Sequence, residues 1–151
     1  MSWYFPRDKE ICDRIVADGF ISLMSGLIET VSFKSKNHYK SGYTYTFVCQ
    51  IMLGISAYEL LSPTLANAIV AKFLQEAMQQ FREKHQIQVC ACRVFRLAVY
   101  PFTKDRRAMA PRAVVELVLN AINLFFHHSL QNEFLLTLNV FMQSKRNIYF
   151  V

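Results

Sequence analysis

The most apolar stretch of the chain predicts a helix over residues 111–128, PRAVVELVLNAINLFFHH. Its polar residues are spaced by four, four, three and four positions, which on a helix places them in one narrow stripe. Apolar residues cover the rest of the helix surface. We therefore expect this helix to be the centre of the core, with other helices packed around it. The stripe consists of Arg112, Glu116, Asn120, Asn123 and His127.

Helical spacing of apolar residues also predicts a first helix over 7–31. This helix contains Gly19 and Gly26, which lie seven positions apart on one side. Because glycine in a helix costs about 1 kcal/mol relative to alanine, two glycines on one face indicate a close contact with another helix, or a break near Gly19. The close contact is favoured. A basic, tyrosine-bearing loop with a Ser-Gly turn is expected next, over 32–45.

The pair Ser62-Pro63 predicts a sharp boundary between two helices, over 46–61 and 63–84. Serine is a preferred N-cap, and proline is favoured at the first helical position. The second of these helices is the best amphipathic segment and is expected to lie on the outside of the core.

The segment 86–100 fits two patterns. Apolar and polar residues alternate at its start, as in a strand, but later residues suit a helix, and a lone strand would lack an obvious partner. Helix is favoured. A last helix is expected over 133–143, with Phe134, Leu135, Leu138, Phe141 and Met142 inward. The chain is therefore predicted to be a mostly α, compact single domain over 1–151, with five or six helices around 111–128.

The chain contains more apolar residues than a typical globular domain. Hydrophobic residues make up 53% and charged residues 19% of the chain, against usual values of about 45–50% and about a quarter. This excess indicates a large core, a buried interface, or both. The net charge of +6 permits an acidic partner or nucleic acid.

Compartment is inferred from what the sequence lacks. The four cysteines are too sparse for a secreted disulfide scaffold, the first residues have no signal-peptide pattern, and no run of eighteen uninterrupted apolar residues occurs. We expect an intracellular protein without a membrane span, in either the cytoplasm or the nucleus.

No catalytic, metal or nucleotide motif stands out. Cys90 and Cys92 with His85 lack the second ligand pair of a structural zinc site. There is neither a GxSxG nucleophile motif nor a glycine-rich phosphate loop. The expectation is a protein that is not an enzyme and that uses no metal and no cofactor.

The leading hypothesis is a protein–protein interaction module, an adaptor or complex subunit that associates with itself or with another protein. Its apolar excess and its aromatic ends support this, because large aromatic side chains supply much of the energy of protein interfaces. The same aromatic ends could instead dock on their own domain. The predicted partner-binding residues are Trp3, Tyr4, Phe5, Glu116, Asn120, Asn123, His127, Tyr149 and Phe150.

A compact helical domain with one buried central helix is similar, at the level of fold, to the Bcl-2-like group. That resemblance implies a groove that receives a partner helix. The stripe on 111–128 could floor such a groove, or it could form part of a homodimer face. No motif of the group is present, and no residue is carried over from it.

The alternative hypothesis is nucleic-acid binding. Lysines interleave with aromatic residues in 33–45, a composition in which lysine meets phosphate and a ring stacks on a base. A basic connector follows at 104–107, and Arg93 and Arg96 could add to it. The predicted nucleic-acid contacts are Lys34, Lys36, Tyr39, Lys40, Lys104, Arg106 and Arg107.

Overall fold

The computed structural model describes residues 9–23, 26, 38–58, 60–99, 111–126 and 131–149. These ranges contain helices and turns and no strand, which confirms the all-α prediction. The elements are α1 (Lys9–Ala17), α2 (His38–Ser56), a 3-10 turn (Ser62–Leu65), α3 (Ala68–Gln80), α4 (His85–Val94), a π-helical turn (Phe95–Val99), α5 (Pro111–Leu124) and α6 (Gln131–Tyr149).

The centre of the core is α4. Seven of its ten residues are buried, and α2, α3, α5 and α6 all pack against it. The π-helical turn continues the helix and buries Phe95, Ala98 and Val99. The preference for helix over strand in 86–100 is thus confirmed.

The prediction that 111–128 forms the central helix is wrong. α5 buries one side, through Val114, Leu117, Val118 and Ala121, while Arg112, Glu116, Asn120 and Asn123 are exposed. These four residues share one face of α5, as their spacing predicts, but that face is exposed to solvent, as on an ordinary amphipathic helix. His127 lies outside the described residues.

Gln88 explains how a helix with polar residues can occupy the core. Its side chain is only 2% exposed, and its Nε2 donates hydrogen bonds to the carbonyls of Met78 and Phe81 at 3.0 and 2.9 Å. The last carbonyls of a helix lack partners within the helix. Gln88 therefore satisfies the C-terminal end of α3 from the neighbouring helix.

Gly19 marks a break, so the favoured close contact is wrong. Its φ is +93°, a left-handed conformation that glycine adopts at little cost. A Cβ at Gly19 or Gly26 would meet nothing within 4 Å. Residues 20–23 are helical again after the break. Gly19 is required for the backbone conformation and not for close packing.

α2 begins at His38, eight residues before the predicted start at 46, and the turn expected at 41–42 is helical. Tyr45 lies within this extension, and its ring stacks on Phe73 with a centroid distance of 4.7 Å. Packing of this helix on α3 overrides the weak local preference of serine and glycine for a turn.

Ser62 does not cap α3. Its Oγ donates instead to the Ser56 carbonyl at 2.8 Å, which closes the connection after α2. Pro63 stands in the 3-10 turn, and Asn67 is the N-cap of α3, accepting from the Val70 amide at 2.9 Å. The amphipathic character predicted for this segment is confirmed, because one side of α3 is buried.

α6 is longer than predicted, at Gln131–Tyr149. Phe134 and Phe141 are buried as expected, but Leu135 and Met142 are exposed, which contradicts their predicted inward orientation. Apolar residues occupy a wider arc of α6 than the side of the helix that packs against the core.

Candidate protein-interaction site

Exposed apolar side chains concentrate on α5 and α6, which pack directly against each other. In the part of the chain that the structure describes, six of the thirteen exposed large hydrophobic residues lie on these helices or at the turn that ends α5. We call five of them, which are 44% to 61% exposed, the α5–α6 surface: Leu119, Phe126, Leu135, Leu136 and Met142. Because such side chains normally avoid water, their clustering is typical of an interaction site.

The α5 part of this surface has a regular spacing. Val115, Leu119, Ile122 and Phe126 follow one another at intervals of four, three and four. This is the heptad spacing of helices that pair along their length. Val115 and Ile122 are partly buried against the core, so the row lies at the border between the core and solvent.

The sixth residue, Leu124, belongs to a separate depression of about 350 Å³ that we call the α3–α5 groove. Its apolar lining comes from Met78, Leu117, Ala121 and Leu124. Its polar lining comes from Arg82, Gln88, Asn120 and Asn123. The groove is thus a largely apolar depression, and among its described lining residues only Arg82 is charged.

The groove contains two residues of the predicted stripe, Asn120 and Asn123. Both are exposed, so they form its edge, whereas buried residues such as Met78 and Ala121 form its floor. Glu116 does not line the groove, and it pairs with Arg112 at 3.5 Å. Met78, Arg82 and Gln88 also line the groove and were not predicted, because a groove between helices depends on tertiary packing, which the periodicity of a sequence does not reveal.

The other predicted partner-binding residues are not placed by the structure. Tyr149 belongs to the α6 backbone, but its side chain lies outside the described part. Outside the described residues altogether are Trp3, Tyr4, Phe5, His127 and Phe150. Their roles stay predictions.

Most of the predicted nucleic-acid contacts are also not placed by the structure. Tyr39 and Lys40 belong to the backbone of α2 and not to the predicted loop, and their side chains are not described. Lys34, Lys36, Lys104, Arg106 and Arg107 lie outside the described residues.

Arg93 and Arg96 are engaged within the molecule. Their guanidinium groups donate to the two carboxylate oxygens of Glu133 at 2.9 and 2.6 Å. Burial raises the pKa of Glu133, but the hydrogen bonds and charges of the two arginines outweigh it and hold that pKa below 4.5. The Thr137 hydroxyl on the next turn lies 2.8 Å from the Glu133 carbonyl and 3.3 Å from the Cys92 carbonyl, so its single hydrogen is shared between them. These contacts fix the start of α6 on α4 and its π-helical turn.

All four cysteines are buried and free of disulfides. Burial raises the pKa of Cys90 and Cys92 to about 12 and that of Cys49 well above its ordinary value. Because the thiolate is the nucleophile and the metal ligand, thiols in this state are unreactive. Among the residues described, no group of three or more His, Cys, Asp or Glu could hold a metal ion. In the same part of the chain, no helix has the length and apolarity needed to cross a membrane.

Comparisons with protein-family models, with curated proteins and with solved structures find no match. The fold-level likeness to the Bcl-2-like group stays a prediction.

Proposed function

We propose that this protein is a non-enzymatic interaction module that associates with itself through the α5–α6 surface. The observation that supports this most strongly is the exposure of five large apolar side chains on two adjacent helices. Each square ångström of apolar surface removed from water contributes about 25 cal/mol. Association that covers these side chains is therefore favoured.

The heptad row on α5 indicates how two copies would meet. Leu119 and Phe126 stand one heptad apart, with Ile122 between them. A second copy could pack its own α5 along this row, in the self-complementary manner of a two-fold dimer. Leu135 and Met142 on α6 are also one heptad apart and would widen the contact.

The test is the mass of the purified protein in solution, measured by light scattering after size separation at low and high salt. We expect a dimer or larger assembly that persists at high salt, because apolar association does not depend on screened charges. Leu135→Glu should shift the mass toward the monomer. Gln79→Glu is the matched control, since it adds the same charge at an exposed position of α3 that does not belong to the α5–α6 surface.

Two outcomes would contradict the proposal. The first is a protein that is monomeric at every concentration and salt, because the α5–α6 surface would then not mediate self-association. The second is an assembly that stays intact in Leu135→Glu, because it would then form through another surface. A monomer that carries nucleic acid, stripped from it by salt, would favour the alternative through 33–45 and 104–107.

A further inference from the structure

We propose that the α3–α5 groove is a second binding site, for an amphipathic helix of a partner protein that carries a carboxylate. The inference rests on the proposed function, because it assumes that the protein assembles with others. It adds a different surface and the chemistry of what that surface binds.

The size of the groove fits the side chains of a helix. A cavity of roughly 150 Å³ can hold one benzene ring, and the groove encloses about 350 Å³. It therefore has room for two large apolar side chains. Residues three or four positions apart on a helix are neighbours on one face, so a single partner helix could supply both.

Burial within the groove indicates that its lower part is preformed and, apart from Gln88, apolar. Met78, Ala121 and Leu117 are 0%, 3% and 5% exposed, so these side chains are held by the core. Leu124 lies at the open side and is 55% exposed. A helix seated in the groove would cover Leu124 while inserting its own apolar side chains toward Met78 and Ala121.

Charge selects the kind of helix. Arg82 is exposed and lines the groove, and none of the other described lining residues is acidic. A partner glutamate or aspartate one turn from the inserted side chains could accept hydrogen bonds from its guanidinium, which suits carboxylates in geometry as well as in charge. Opposite, Asn120 and Asn123 offer amide groups that can donate and accept. The surplus of positive charge on the whole chain, +6, favours the approach of an acidic partner.

The test uses a display library of one amphipathic helix of about 18 residues with a randomised apolar face and flanking positions. The library is selected against the intact protein and, separately, against Arg82→Glu. We expect helices from the first selection to share two large apolar residues three or four positions apart, with an acidic residue beside them. Selection on Arg82→Glu should replace that acid by lysine or arginine.

Affinities of the selected helices, measured by fluorescence anisotropy, complete the test. Arg82→Glu should weaken the acidic helices by about tenfold or more, and Leu124→Glu should weaken every helix. Lys72→Glu is the matched control, since it makes the same charge change at an exposed position of α3 that does not line the groove. Both variant positions in the groove are exposed, and circular dichroism checks that each variant is folded.

Three results would overturn the inference: no helix is recovered, the recovered helices bind Leu124→Glu as tightly as the parent protein, or their charge preference does not follow residue 82. Helices that compete with self-association and lose affinity in Leu135→Glu also overturn it, because they bind the α5–α6 surface. In each of these cases, an assembly that Leu135→Glu dissociates still supports the proposed function. The two proposals therefore fail separately.

Discussion

Replacing Gln88 by leucine should destabilise the protein by about 2 to 3 kcal/mol. The substitution removes the donor of the hydrogen bonds to the Met78 and Phe81 carbonyls. Phe81 keeps a second partner, the Lys84 amide at 3.0 Å, so it loses only a net hydrogen bond, about 1 kcal/mol. Met78 is fully buried, and leaving its carbonyl unsatisfied costs about 1 to 3 kcal/mol. Additional apolar burial by leucine offsets up to about 1 kcal/mol of this.

The assay is urea unfolding followed by circular dichroism, with thermal unfolding beside it. For a chain of this size, a loss of 1 kcal/mol lowers the Tm by about 2 to 4 °C, so Gln88→Leu should lower it by about 5 to 10 °C. Gln79→Leu serves as control, because Gln79 is exposed on α3 and a surface substitution changes stability by less than about 0.5 kcal/mol.

A second substitution, Gln88→Glu, tests the same capping role through the pH dependence of stability. Above about pH 4 the unfolded side chain is ionised, and in the fold the carboxylate would face carbonyl oxygens with no donor. The pKa of the introduced acid is thus raised in the folded state, so the penalty grows as the pH rises from about 4 to the folded-state pKa and stays constant above it. Below about pH 4, both states are protonated and one donor returns. A Gln88→Leu protein within about 0.5 kcal/mol of the parent would refute the capping role.

Three further predictions concern other buried or strained groups, each measured by urea unfolding. Glu133→Gln should cost about 1 to 2 kcal/mol above pH 4.5, and the cost should shrink as the pH falls below that value, because the carboxyl pKa is depressed in the fold. Glu116→Gln, at an exposed pair, should change stability by less than about 0.5 kcal/mol. Tyr45→Phe should match or exceed the parent protein in stability, since the hydroxyl is buried without a hydrogen-bond partner, and a loss of more than about 1 kcal/mol would contradict this. Gly19→Ala should destabilise the protein by about 1 kcal/mol, because the backbone at Gly19 has a positive φ. Gly26→Ala should not destabilise it, because Gly26 is helical and has open space around it. Equal effects of the two substitutions would refute the helix break at Gly19.

Periodicity was sufficient where one helix face meets the core. α3 shows this best, because its inward and outward residues separate as its sequence predicts, except that Ile69, expected on the inward face, is exposed. The helix over 86–100 was also predictable. Its central position was not, because three features of α4 depend on neighbours. Gln88 is buried only because it caps α3, Arg93 is offset by Glu133, and Thr137 reaches back to Cys92.

The candidate site was predictable only in part. The spacing of Asn120 and Asn123 identified a real stripe, but which side of α5 faces the core depends on where α4 and α6 lie. The expectation that so apolar a helix must be central assumed that every apolar flank is covered. Leu119 and Leu124, on opposite flanks of α5, show that both flanks remain accessible. Exposed apolar residues cannot be told from core residues by sequence pattern, and they carry both proposals.

The four buried thiols allow the opening of individual helices to be followed in the native protein. A thiol reagent reaches such a side chain only when the surrounding structure opens, so the rate of modification reports the free energy of that opening. Cys12 lies in α1, Cys49 in α2, and Cys90 and Cys92 in α4. Mass spectrometry of partly modified protein would show whether α1 separates before the centre of the core, or whether all three helices open as one cooperative unit.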